Sequence, residues 1–198
     1  MLDHVPRAMA QEFNDCPADG DGGDRKLNYL KNRTDESPWL AATVAAARSL
    51  PNPGGVVRIP RSRWGPAASR AVARFEGLPL AIEGYLVDVR EEGAESTNCH
   101  RDDAASRDWH LWLADAPGLP RSASLVAELT PRVRALHPPW AIDSLRQAMN
   151  DTIRVRISGW LLFDEEHPEQ IGKSRATLWE IHPVMRVEFW QGDQWVEW

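Results

Sequence analysis

The chain has 198 residues, of which 42% are hydrophobic and 26% charged, the composition of a soluble globular protein. It excludes collagen-like, mucin-like and wholly disordered chains, and no apolar run approaches the roughly 18 residues of a membrane-spanning helix, so no membrane partner is expected. The formal net charge of −6 gives no general attraction to phosphate backbones, which makes nucleic acid an unfavourable partner.

The N-terminal region, residues 1–36, is polar and rich in Asp, Gly and Asn. It has too few apolar residues for a core of its own, so we predict an extended arm that drapes over the rest of the protein. Residues 1–13 contain no uninterrupted apolar segment of the secretory-signal kind, so cytoplasmic residence is expected. Segment 19–24 superficially resembles a calcium loop, but Leu30 stands where an EF-hand requires a bidentate Glu, which excludes that motif.

Residues 37–77 predict a helical buttress. Ser37 and Pro38 are typical of a helix start, and apolar residues continue at helical spacing from Trp39 to Leu50. A second helix is predicted over residues 66–75, with a glycine C-cap directly after it. Between the two helices, residues 56–59 predict a short extended piece.

Residues 78–198 change to strand patterns, with a closing hairpin at Gly192 and Asp193. A helix ending near Met149 falls between the third and fourth strands, and Gly84 and Gly159 predict bends. Three strands, a helix and two strands form the connectivity of the OB-fold. We therefore predict a mainly β fold, an OB-fold-like five-stranded barrel with N-terminal helices and an extended N-terminal arm; another small β-barrel is the alternative. The predicted strands cover residues 81–90, 108–115, 123–130, 153–163 and 178–190.

The two cysteines, Cys16 and Cys99, lie in stretches that we expect to be flexible. An obligatory disulfide is therefore not expected. Cys99 and His100 resemble half of a metal site, but no C-x-x-C motif accompanies them, so an incidental loop thiol is favoured.

Strand alternation places several polar residues together on the outer face of the predicted barrel. Imidazoles that converge with carboxylates suit a divalent transition metal or a His–carboxylate acid–base pair. The alternative is a solvated or purely structural polar network, because the chain has no short-range ligand motif such as H-E-x-x-H. The strands contribute His110, Glu128, Glu180 and His182, and the neighbouring loops contribute Asp164, Glu165, Glu166, His167, His100, Asp102 and Asp103.

Three sequence elements occur in order along the barrel: Asp108-x-His110-Leu, the segment from Gly159 through Asp164 to His167, and Glu180-Ile-His-Pro-Val. With these elements the chain resembles an uncharacterised family of bacterial proteins that has no established activity. Segment 27–33 looks like the N-terminal part of a longer subgroup of that family. The resemblance implies one ligand-binding constellation, formed by Asp108, His110, Glu128, Asp164, His167, Glu180 and His182.

Three functional hypotheses follow. The first is a His/carboxylate site for a small ligand or a divalent transition metal on the outer face of the barrel, with His110, His167 and His182 as candidate metal ligands and hydrolysis as a candidate reaction. The second is a non-catalytic OB-type module that binds single-stranded nucleic acid, an oligosaccharide or a protein. The third is a structural polar network only. The sequence leaves open whether the protein is an enzyme and whether it forms oligomers.

The ten Trp residues of the chain bear on the second hypothesis. Trp112, Trp160 and Trp190 fall on outer faces, where OB-folds stack bases, and Arg154, Arg156 and Arg186 would contact phosphates. Because large exposed apolar patches are uncommon, we favour a different role, in which the N-terminal helices and the arm cover these rings.

Overall fold

The computed structural model describes residues 8–198, and residues 1–7 of the predicted arm lie outside the described part. In chain order the strands are β1 (Leu40–Thr43), β2 (Pro79–Glu91), β3 (Trp109–Ala114), β4 (Leu125–Leu129), β5 (Arg154–Phe163), β6 (Trp179–Gln191) and β7 (Gln194–Glu197). The α-helices are α1 (Arg25–Lys31), α2 (Val44–Arg48), α3 (Pro66–Ala73), α4 (Pro131–Leu136) and α5 (Ile142–Asn150).

Strands β2 to β6 form a closed barrel. Their order is β2-β3-β4-β6-β5, and β2 also pairs with β5, which joins the two ends of the sheet. Strands β4 and β6 run parallel, whereas the other barrel pairs are antiparallel. This is the pairing pattern of the OB-fold, so the predicted mainly β fold is confirmed, with β1 and β7 as two additional strands. The closing hairpin is confirmed as well, because β7 pairs with β6 around Gly192 and Asp193.

The barrel interior follows the period-two pattern of the strands. Leu111, Leu129, Ile157, Ile181 and Val187 are fully buried and belong to one apolar core. Helix α5 packs against β2 and adds its own fully buried leucine to that core. Alternate residues on the same strands therefore point away from the core, and the polar cluster described below is built from them.

Gly159 marks the predicted bend in β5, where the pairing register with β6 shifts. A Cβ atom at this position would overlap the backbone carbonyl oxygen of Pro183, so the close approach of the two strands requires glycine here. The bend predicted at Gly84 lies a few residues further along β2. The register stays continuous around Gly84, and the irregularity lies between Leu86 and Asp88.

The predicted helix from Ser37 to Leu50 is wrong in its first half. Residues Leu40–Thr43 form β1, which pairs in parallel with β2, and α2 begins only afterwards. The Thr43 side chain provides the N-cap, because its hydroxyl accepts a hydrogen bond from the Ala46 N–H at 3.0 Å. The apolar spacing looked helical, but backbone pairing with β2 decides the local structure.

The other local predictions have mixed outcomes. Helix α3 confirms the predicted helix over residues 66–75, and α5 confirms the helix that precedes the fourth barrel strand. The extended piece predicted at residues 56–59 is a turn. Helix α4 was not predicted; the Thr130 hydroxyl caps its N-terminus.

The described part of the arm packs on the barrel and contains α1. Asp24 begins this helix by accepting hydrogen bonds from the Lys26 and Leu27 N–H groups. The Arg132 guanidinium holds the arm by donating to the carbonyl oxygens of Gln11 and Cys16 at 2.9 and 3.2 Å. The division into an arm (1–36), a buttress (37–77) and a barrel with hairpin (78–198) stays a prediction. Among residues 8–198, no helix is both long and apolar enough to cross a membrane.

Cys16 and Cys99 form a disulfide bond across 83 residues of sequence, so the expectation of unpaired thiols is wrong. The two stretches are held against each other rather than flexible. The arm docks on the turn Ser96–Asn98, where the Asn32 side-chain amide donates to the Thr97 carbonyl oxygen at 3.0 Å. That long-range packing has no periodic signal in the sequence.

We expect the double substitution Cys16→Ser and Cys99→Ser to lower the free energy of unfolding by about 2–4 kcal/mol, because the open chain gains conformational entropy when unfolded. The arm should also become more sensitive to trypsin. Urea titrations and limited proteolysis would measure the two effects. A reducing agent should destabilise the wild type and leave the double variant unchanged; equal stability of oxidised and reduced wild type would contradict the prediction.

Candidate metal centre and adjoining cavity

Strand pairing brings four of the predicted site residues together. His110 on β3 lies opposite Glu128 on β4, and β4 pairs with the start of β6, which carries Glu180 and His182. The four side chains face away from the apolar core, as the alternation predicted. They are not on an open surface, however. Glu128, Glu180 and His182 are buried because α1 packs against β6 and the turn Ser96–Asn98.

Glu128 lies between two imidazoles. Its Oε2 atom is 2.9 Å from His182 Nδ1 and 3.1 Å from His110 Nε2. Burial alone would lower the pKa of each histidine, but the Glu128 carboxylate raises the pKa of His110 to about 9 and that of His182 to about 10. Burial alone would raise the pKa of Glu128, but the two histidines hold it well below its usual range.

Arg175 links two further predicted carboxylates. Its guanidinium forms ion pairs with both Asp164 and Glu180, and all three side chains are buried. His167 Nδ1 lies 2.8 Å from Asp164 Oδ2, while its ring remains partly exposed. Burial alone would raise the pKa of Asp164, but the hydrogen bond from His167 and the charge of Arg175 lower it. Sequence reasoning missed Arg175, which lies in a loop without periodicity.

Lys31 is a second residue that the sequence analysis did not select. Helix α1 places its side chain in the buried region, where burial alone would lower its pKa. The nearby carboxylates of Glu95, Glu128, Asp164 and Glu180 instead raise that pKa well above its usual value. The arm therefore contributes a positive charge to the acidic cluster. The only sequence signal was the position of Lys31 within segment 27–33.

Asp108, Glu128 and His182 form the candidate metal centre. One ligand atom from each residue lies within 4.8 Å of the others, and all three residues are buried. Each residue also has a buried polar atom with no hydrogen-bond partner among the described residues: Asp108 Oδ2, Glu128 Oε2 and His182 Nε2. The close contacts of Glu128 Oε2 with the imidazoles are thus ion pairs that are not aligned as hydrogen bonds.

The residues around this centre orient its side chains. The Asn98 amide donates to Asp108 Oδ1 at 3.0 Å, and His182 Nδ1 lies 3.1 Å from Glu180 Oε1. Burial raises the pKa of Asp108, partly offset by the charge of His182. Within residues 8–198, the second oxygen of Asp108 and the second ring nitrogen of His182 have no hydrogen-bond partner.

The predicted set of three metal-binding histidines is not brought together. Within residues 8–198, only His182 joins such a cluster; His110 contacts Glu128 and Glu92, and His167 contacts Asp164.

Of the loop candidates, His100 lies next to the Asp21 carbonyl oxygen, and Glu165 pairs with Arg61 at 3.2 Å. Asp102, Asp103 and Glu166 are exposed. None of these five residues belongs to the candidate metal centre.

A cavity of about 260 Å³ opens over the outer face of β3 and β4. Glu128 and His110 lie in its wall, so the cavity gives access to one edge of the candidate metal centre. The other lining residues are almost all polar: Arg90, Glu92, Glu95, Trp112, Arg121, Val126, His167, Gln170, Ser174 and Arg175.

The outer tryptophans differ in exposure. Trp160 is buried under the arm, where its indole N–H donates to the Asp35 carbonyl oxygen, as the covering role predicted. Trp112 is covered by a different segment, the loop between β5 and β6, and donates to the Ser174 carbonyl oxygen. Trp190 remains 37% exposed. Two of the three rings proposed for base stacking are therefore already occupied by protein contacts.

Comparison of the chain with family models, with curated proteins and with solved structures finds no match. The resemblance to an uncharacterised bacterial family therefore stays a prediction. The function is therefore inferred from the geometry of the cluster and the cavity.

We expect Arg175→Met to lower the free energy of unfolding by about 3–5 kcal/mol, because it leaves Asp164 and Glu180 buried without their shared cation. Arg146→Met is a matched control, since Arg146 forms an ion pair with Asp143 at the exposed surface and should cost less than about 1 kcal/mol. Urea titration at neutral pH measures both variants. Equal losses in the two variants would contradict a buried ion network.

In protein treated with a chelator, we expect stability to decline as the pH rises from about 6.5. Because the folded-state pKa values of His110 and His182 are raised to about 9 and about 10, their contribution is complete below the unfolded value and is lost as the pH rises through the folded values. The unfolding free energy as a function of pH measures this slope. His110→Gln should flatten it, and a slope identical to that of the wild type would count against the ion pair with Glu128.

Proposed function

We propose that Asp108, Glu128 and His182 bind one divalent transition metal ion, with zinc and manganese as the favoured candidates. The proposal also places a small ligand of this centre in the cavity beside Glu128. Hydrolysis is the reaction class that we assign to such a site. The observation that carries the proposal is that three buried side chains bring ligand atoms within 4.8 Å of one another, and each also has a polar atom without a hydrogen bond among the described residues.

Burying polar atoms that make no hydrogen bond destabilises the fold. A buried polar atom that lacks a hydrogen bond costs about 1–3 kcal/mol, and buried charges cost more. A divalent cation satisfies two carboxylates and one imidazole at the same time. Two oxygens and one nitrogen also match the ligand types that zinc and manganese accept, and three protein ligands leave a position open for water.

The surrounding residues suit the roles that support a metal centre. His182 Nδ1 contacts Glu128 and Glu180, so the neutral ring keeps its proton on Nδ1 and has its lone pair on Nε2, and the Asn98 amide orients Asp108. Because the pKa of His182 is raised to about 10, metal binding must release the proton on Nε2. His110 lies in the cavity wall 3.1 Å from Glu128, where it can hold or transfer a proton. A bound zinc-type ion supplies a polarised water at neutral pH.

The disulfide indicates the redox state of the cellular compartment that contains the protein. Disulfides persist in oxidising compartments and are rare in the cytosol, where thiols are kept reduced. The bond between Cys16 and Cys99 therefore favours an oxidising environment over the cytoplasm that the sequence led us to expect. Cytoplasmic residence stays a prediction.

Metal stoichiometry tests the proposed function. Protein without a histidine tag is loaded with zinc or manganese, desalted and measured by elemental analysis. We expect about one equivalent for the wild type, as for a single three-ligand site, and less than about a tenth for Asp108→Asn. His182→Gln should lose the metal too, and circular dichroism shows whether each variant folds.

The control is Asp143→Asn, which changes an exposed carboxylate that belongs neither to the candidate metal centre nor to the cavity wall. It should retain the wild-type metal content. Folded wild type that holds less than about a tenth of an equivalent of any transition metal would contradict the proposal and favour a structural polar network. Asp108→Asn with undiminished metal content would exclude these ligands.

A further inference from the structure

Two arginines stand over an aromatic ring in the wall of the cavity. The guanidinium carbon of Arg121 lies 4.3 Å from the centre of the Trp112 ring, and that of Arg90 lies 5.9 Å away. The indole is anchored in turn by its hydrogen bond to the Ser174 carbonyl oxygen at 2.6 Å. Both guanidiniums therefore lie within cation–π distance of the same ring.

A single carboxylate forms ion pairs with both arginines. Asp88 Oδ2 is 2.8 Å from Arg90 Nε and 3.0 Å from Arg121 Nη1, so two positive charges face one negative charge. Among the described residues, Arg121 donates only this one side-chain hydrogen bond, although a guanidinium has five N–H groups. The pair thus has unused donors and an excess positive charge.

The arginine pair is close to the candidate metal centre. Trp112 follows His110 by two residues on the same face of β3, which corresponds to a distance of about 7 Å along the strand. Arg90 on β2 is the register partner of His110. A small molecule can therefore contact the arginines and the Glu128 end of the cavity at the same time.

Three carboxyl groups line the cavity, and none of them pairs with Arg90 or Arg121; Glu128 lies between His110 and His182. Glu92 is directed to His110, at 3.4 Å from its Nδ1 atom. Burial raises the pKa of Glu95 to about 7, so this carboxyl is only partly ionised at neutral pH. The arginines are consequently the part of the wall that favours an anion.

We infer that Arg90 and Arg121, supported by Trp112, form an oxyanion subsite that holds a phosphate or carboxylate group of the ligand. We further infer that the other end of the same small anion reaches the metal centre, and this part rests on the proposed function. It narrows the ligand class to small organic anions. Bidentate recognition of planar or tetrahedral oxyanions is the chemistry to which guanidinium groups are suited.

The test measures binding of inorganic phosphate and of acetate by calorimetry, at constant ionic strength, with chelator-treated and with zinc-loaded protein. We expect saturable binding of at least one of the two anions. Arg121→Gln should weaken it about tenfold, because one charge-assisted donor is lost. Asp88→Asn should strengthen binding, because it removes the carboxylate that competes for both guanidiniums.

Arg154→Gln is the matched control. Arg154 also pairs with one carboxylate, Glu83, and lies over a tryptophan ring, but it does not line the cavity. Its substitution should leave anion binding unchanged. Preference for phosphate or for acetate distinguishes the two ligand sources.

No saturable binding of either anion, or binding that Arg121→Gln leaves unchanged, would overturn the inference. Binding that persists without any metal uptake would sustain the subsite and overturn only the proposed metal centre. Opposite effects of Arg121→Gln and Asp88→Asn are the signature sought, since a purely structural role predicts the same direction for both.

Discussion

The burial of Glu128 between His110 and His182 is the constraint on which the polar half of this structure depends. A carboxylate removed from water is stable only when opposite charges or hydrogen bonds compensate it. The two imidazoles lie on β3 and β6, the strands on either side of β4, so compensation requires both strands to pair with β4 in register. The arm then adds Lys31 and the loop between β5 and β6 adds Arg175, which balance the remaining carboxylates. Elements that look peripheral in the sequence are thus needed to keep the cluster buried.

The barrel could be predicted because its strands carry the period-two pattern over most of their length. Alternation alone separates Leu111 and Ile181 from His110 and Glu180, and the position of a helix between two groups of strands defines the topology. The helix prediction for the segment from Trp39 to Leu50 was wrong in its first half, and the reason is also physical. Its apolar spacing fits a helix, but its first residues pair with β2 instead, a tertiary effect that the local pattern cannot show.

The site was predictable only where strands carry it. Once the barrel topology is assumed, His110, Glu128, Glu180 and His182 must be neighbours. The resemblance of the chain to a bacterial family suggested Asp108 and Asp164 as further members. Arg175, Lys31 and the disulfide partner of Cys99 lie in segments without a repeating pattern, and their positions follow from docking between residues far apart in the chain. The burial of these outward-facing side chains was not predicted. An outward-facing strand residue is solvated by default, unless another segment happens to cover it.

The glycine in β5 has a consequence for how sequence variation in this protein is understood. A methyl group at Gly159 would overlap the Pro183 carbonyl and the Ile181 side chain, the two residues that flank His182 in the chain. The smallest possible substitution, to alanine, would therefore displace the chain on both sides of His182 and shift its imidazole away from Glu128. In a genetic screen, such a position would be recorded as a packing defect, although its phenotype would arise in the polar cluster around His182.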